Sequence, residues 1–135
     1  MDQQKIAVIE DCTERSLAGT IAFPEVVRKL QEIGVERYHA DYSRREKTYY
    51  LPDGDSHAVP MLFPRQAIPE AFSAEQVEAA IRASQSGQID YIEFLRRTMA
   101  AGCVGYFVQI TGRRALYFGR NGDVHLEPFP TAPKN

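Results

Sequence analysis

Gly87-Gln-Ile-Asp-Tyr-Ile-Glu93 opens a stretch, Gly87 to His125, whose pattern the chain has already used once, beginning at Gly19-Thr-Ile-Ala-Phe-Pro-Glu25. A shift of 68 positions lays residues 5–67 on residues 73–135 without a gap, and fourteen of those 63 pairs are identical. Chance identity for ordinary composition gives roughly four. The identities include Tyr38/Tyr106, Arg45/Arg113, Tyr49/Tyr117, Asp55/Asp123 and His57/His125. They also include all three glycines of the first half, Gly19, Gly34 and Gly54, residues that set backbone geometry. The chain therefore reads as one structural unit present twice.

Length favours folding the two units together. A chain of 135 residues can bury about two-thirds of its unfolded surface in one core, whereas half of it alone would be marginal. The expectation is a single domain, 1–135, made of two repeats (about 5–62 and 73–130) joined by a proline-containing linker, 63–72. A net charge of −2 gives no field strong enough to suggest nucleic acid or a membrane surface as partner. No apolar run approaches the ~18 residues of a membrane span, and no basic-then-apolar leader opens the chain. Cys12 and Cys103, unmatched under the shift, read as buried thiols in a reducing cytoplasm.

Each unit reads as helix–helix–strand–strand–strand. In the first, Ile6, Ile9, Cys12 (or Thr13) and Leu17 line one helical face up to a stop at Gly19. Phe23-Pro24 opens a second helix with Val26, Val27, Leu30 and Ile33 as its stripe. Tyr38, Ala40 and Tyr42 alternate with polar residues, as in a half-buried strand. A turn at 43–46 leads to a return strand at 47–51, and Asp53-Gly54 predicts a two-residue turn into a third strand near 56–62. In the second unit, Ser73 with Gln76 and Asp90 with Glu93 predict helix caps. Val104, Tyr106, Val108 and Ile110 share a strand face, and Gly112-Arg113 and Asn121-Gly122 predict tight turns. Two-residue turns oppose Val108 to Tyr117 and Tyr117 to Leu126 on a helix-covered face. They oppose Phe107 to Phe118 and Phe118 to His125 on the open one. The tail from Pro128 is expected to fray. The fold class predicted is α+β, an internal duplication with antiparallel sheets packed against helices about a pseudo-twofold axis.

Candidate site residues follow from this placement. Asp55 with His57, and Asp123 with His125, put a carboxylate and an imidazole on one face in each half, with Tyr50 and Phe118 beside them. Such a pair serves proton transfer or metal ligation, and aspartate after a turn glycine is equally ordinary turn chemistry. Arg45 and Arg113, at matching turns among other basic residues, could meet an anionic ligand or be solvated turn charges. Gly87 to Glu93 superficially matches the end of a calcium loop. Arg82, Ser84 and Ser86 stand where its first acidic ligands belong, which excludes it. No phosphate-cradling loop, nucleophile elbow or Cys-x-x-Cys is present.

Several segments together resemble a known family. They are Ile33-Gly-Val-Glu-Arg-Tyr38, Lys47-Thr-Tyr-Tyr50 before Asp53-Gly54, Gly87-Gln-Ile-Asp-Tyr-Ile-Glu-Phe94, Ala101-Gly-Cys-Val-Gly-Tyr106, Gly112-Arg-Arg114, and Tyr117-Phe-Gly-Arg120 with His125, Glu127, Phe129 and Pro130. The chain is similar along nearly its whole length to small bacterial and prophage-encoded proteins catalogued as a domain of unknown function, some labelled "phage envelope protein". The resemblance implies no activity and no catalytic residue. The function expected is a cytoplasmic binding or interaction protein, phage-derived by that resemblance, without cofactor or resident metal. Its partner would be a protein or a second copy meeting the exposed sheet face, at residues 39, 41, 50, 57, 107, 118 and 125. The alternative is a metal-binding protein or enzyme using the paired Asp-x-His motifs.

Overall fold

The computed structural model describes residues 1–130. Ten elements follow in order: α1 (Gln3–Ala18), α2 (Phe23–Glu32), β1 (Arg37–Asp41), β2 (Glu46–Tyr50), β3 (Ser56–Pro60), α3 (Ala74–Gln85), α4 (Tyr91–Ala100), β4 (Cys103–Gln109), β5 (Arg114–Gly119) and β6 (Val124–Pro128). The fold is α+β, with four helices over one face of a six-stranded antiparallel sheet of order β3-β2-β1-β4-β5-β6. One continuous sheet replaces the separate sheets expected, because β1 and β4 pair along their length at its centre.

The predicted caps form. Ser73 Oγ accepts from the Gln76 N–H, and Asp90 Oδ1 accepts from the Glu93 N–H, each satisfying an orphan donor of a helix start. Gly19 ends α1 in the left-handed conformation. The apolar stripes of the helices face the sheet: Ile9 and Cys12 from α1, Val27 and Leu30 from α2, Val77 and Ile81 from α3, Phe94 and Leu95 from α4. Both cysteines are fully buried free thiols. The predicted linker, 63–72, carries no helix or strand.

Strand register departs from expectation in two ways. The β4–β5 connection is four residues long, not two, so Tyr106 opposes Tyr117 and Val108 opposes Ala115. That shift of two leaves the faces of β4 and β5 as predicted. The connection to β6 is three residues, 120–122, because the Gly119 N–H bonds to the Asp123 carbonyl and Gly122 takes a positive φ. That shift of one opposes Tyr117 to His125, not to Leu126, and turns β6 over. The Asp53-Gly54 hairpin does the same to β3, with Tyr49 opposite His57. Both histidines therefore face the helices, and Leu126 faces outward, 45% exposed.

Two rows of side chains run across the covered face: His57–Tyr49–Tyr38–Val108–Ala115–Glu127 and Val59–Lys47–Ala40–Tyr106–Tyr117–His125. Pro128 closes β6, and the Phe129 N–H bonds to the Arg113 carbonyl, so the chain is held where fraying was expected to begin. The rest of that expectation, residues 131–135, lies outside the described residues.

Candidate functional site

The paired Asp-x-His motifs do not come together. His57 and His125 stand on the two outermost strands, five inter-strand steps apart, which at the usual spacing is ~24 Å. In the first half, His57 Nε2 is 3.6 Å from Glu10 Oε2 on α1, and Asp55 binds the chain's own N-terminal ammonium at 2.5 Å. In the second half, Asp123 is an exposed turn residue. His125 Nε2 lies 2.8 Å from Glu78 Oε2 and 3.2 Å from Glu127 Oε1.

Glu78, His125 and Glu127 are the one group among the described residues whose donor atoms, all within 4.8 Å, could hold a metal ion. Arg82 already sits on the outer oxygens of both carboxylates, 2.9 Å from Glu127 Oε2. Burial raises the Glu127 carboxyl, but the hydrogen bonds from Arg82 and its other neighbours outweigh this and hold it below the usual carboxylate range. The cluster is thus closed as an ion-pair network.

The paired arginines hold equivalent backbone positions at these turns. Arg45 and Arg113 both take positive φ, uncommon for arginine, at matching positions. Arg45 Nη1 donates to the Phe63 carbonyl at 3.0 Å, and the Arg113 guanidinium lies 5.2 Å from the Phe129 ring centre. Tyr50 and Phe118 lie on the open sheet face, Tyr50 beneath the Arg37 guanidinium at 4.4 Å and Phe118 against Phe107.

A sizeable concavity lies elsewhere, on the covered face. The turns linking α1 to α2 and α3 to α4 stand apart above the central strands and leave a cleft of about 780 Å³. Its floor is Tyr38, Tyr106 and Tyr117, its walls include Tyr91, Phe94 and Ile81, and Phe23 and Phe129 stand at its rim with ring centres 5.5 Å apart. Volume and lining match those of small-molecule sites. The tyrosines interlock: Tyr38 and Tyr106 meet edge to face, and the Tyr91 and Tyr106 hydroxyls are 2.5 Å apart. Burial pushes the Tyr38, Tyr91 and Tyr106 phenols well above their ordinary range.

Lys47 enters this cleft from β2. It is only 3% exposed and, among the described residues, has no carboxylate within ion-pair distance and no hydrogen-bond partner. Its ammonium lies 4.3 Å from the Tyr91 ring centre and 5.3 Å from that of Tyr38. Burial pulls its pKa down to about 7, against a small opposing influence from Cys12. A lysine so far removed from water is costly to keep charged. The position matching Lys47 under the 68-residue shift is Ala115, and that matching Glu127 is Val59. The cleft lining thus includes one lysine, Lys47, and two carboxylates, Asp90 and Glu127, and each matches an uncharged residue in the other half, Asp90 matching Ala22.

A four-helix, six-stranded antiparallel α+β fold with an aromatic cleft beneath its helix turns defines the class of protein. The chain belongs to the DUF1398 family, described as proteins of unknown function, which matches residues 18–127. It is similar to Uncharacterized protein Mb2035 of Mycobacterium bovis and to Uncharacterized protein Rv2012 of Mycobacterium tuberculosis, each 27% identical over 118 residues. Those matches cover 79% of this chain and 66%, just under two thirds, of each relative. Neither the family's description nor the relatives' names mention a phage or an envelope. No helix among the described residues is long and apolar enough to cross a membrane.

Proposed function

We propose that this protein binds a small, largely apolar organic molecule in the cleft beneath its helix turns, with the polar end of the ligand at Lys47. The single observation that carries this is an unpaired lysine, all but fully buried, opening into an aromatic cavity of ligand size. Tyrosine faces supply flat contact area, and the lysine supplies the one strong polar point of recognition. The two buried thiols suit a cytoplasmic setting. The one-domain, two-repeat organisation, 5–62 with 73–130, belongs to the same reading: a cleft between two equivalent helix pairs is where such units would meet.

The test uses 8-anilinonaphthalene-1-sulfonate, an aromatic anion that fluoresces in apolar surroundings. It should bind the wild type more tightly at pH 6 than at pH 8.5, because the Lys47 ammonium is present below about 7 and lost above it. Lys47→Met should weaken binding at pH 6 about tenfold, the equivalent of roughly 1.4 kcal/mol, and remove the pH dependence. Equal fluorescence titrations of wild type and Lys47→Met at pH 6 would end the proposal.

A second reading rests on the open sheet face. His39, Phe107, Leu116 and Leu126 form one row there, Phe118 and Val124 lie in the next, and the His39 ring stacks on Phe107 at 4.3 Å. Val124 and Leu126 are about half exposed. An apolar strip of this kind suits a protein partner or a second copy of this chain. Of the residues expected on that surface, His57 and His125 are absent from it, since β3 and β6 are turned over.

A further inference from the structure

We propose that Lys47 is a nucleophilic amine that captures an aldehyde or ketone in the cleft as an imine; this rests on the cleft being a ligand site. The geometry favours a carbonyl over a carboxylate as the polar end of the ligand. No carboxylate lies within ion-pair distance of the amine among the described residues, so no neighbour of that kind holds it charged. What surrounds the amine instead is aromatic, the faces of Tyr91 and Tyr38. A lysine desolvated in an apolar pocket is the arrangement that leaves a neutral, reactive amine at neutral pH.

The step balances without a co-reactant. The Nζ lone pair attacks the carbonyl carbon, forming the C–N bond, while the carbonyl oxygen takes up a proton to give a carbinolamine. Loss of that hydroxyl as water, with the second proton, leaves the protonated imine, and one water is released per adduct. The rings then have a second use. An iminium is a delocalised, weakly hydrated cation, and a ring face at 4.3 Å offers it a cation–π contact. The apolar and aromatic walls offer an aromatic carbonyl compound contact area.

The full-length protein is incubated with benzaldehyde near pH 7, reduced with borohydride to fix any imine as a secondary amine, and mapped by peptide mass spectrometry. The expected result is one adduct, on Lys47, formed at least about tenfold faster than adducts on Lys5 and Lys29, and absent from Lys47→Met. Unfolding in urea should bring the labelling rate of Lys47 down to that of Lys5 and Lys29. Even labelling of Lys5, Lys29 and Lys47 in the folded protein overturns the proposal, as does an unreacted Lys47. If Lys47 stays unreacted while the naphthalene sulfonate still binds in a Lys47-dependent way, the imine fails and the cleft stands as a non-covalent site. If neither probe depends on Lys47, the cleft reading falls as well.

Discussion

At the scale of single residues, the burial of Lys47 works against folding. In the unfolded chain a lysine keeps its proton to about pH 10.4, while in the folded protein it releases it at about 7. Between those values the unfolded state binds more protons, so the Lys47 contribution makes stability climb as pH rises from about 7 toward 10 and leaves it lowest below 7. Lys47→Met, similar in volume and without charge, should therefore raise stability at about pH 6 by on the order of 3 kcal/mol and flatten the climb, measured by urea denaturation across that range. A variant gaining stability while losing ligand would be the trade expected of a site residue. The sequence held the signal for this position. Lys47 stands two residues before Tyr49, an interior tyrosine, and residues so spaced on a strand share a face. Its charge, close to the basic turn at Arg45, concealed it, since charge is ordinarily read as exposure.

Among the elements, the hairpin connections decide which side chains meet. The alternation of each strand was legible, and the helix caps at Ser73 and Asp90 were legible to the residue. Loop length was not, because Asp53-Gly54 and Asn121-Gly122 serve both a two-residue turn and the three-residue loop with glycine in the left-handed position. One extra residue carried His57 and His125 from the open face to the helices, and the expected site went with them. The helix ends give a sharper test of local geometry. Gly34 and Gly102 follow α2 and α4 with φ of +84 and +98, yet a side chain at Gly34 would meet nothing within 4 Å. At Gly102 it would run into the Ala71 carbonyl and the Phe72 backbone. Gly34→Ala should cost about 1 kcal/mol, the left-handed penalty alone. Gly102→Ala should cost about 3 kcal/mol or more, since backbone must move as well. Chemical denaturation of the two variants side by side measures the difference.

The whole molecule is a layered body with one face of its sheet covered and the other bare. The α+β class was legible from the order of periodicities. The joining of β1 to β4 was not, since pairing across some 65 residues leaves no local mark. Sedimentation at about 100 µM tests the open face. If a second copy covers it, the wild type should run as a dimer and Val124→Lys with Leu126→Lys as a monomer, both substitutions falling where the native side chains are already about half exposed. A wild-type monomer would remove self-association and leave only a different protein as partner.

Lys47 stands where the matching position is Ala115, and Glu127 where it is Val59. A cleft with matched linings on its two sides would accept a guest equally well in either of two orientations. With Lys47 on one flank and the Glu127 carboxylate on the other, a cleft that takes a ligand would tell head from tail, and a lopsided molecule would enter one way round.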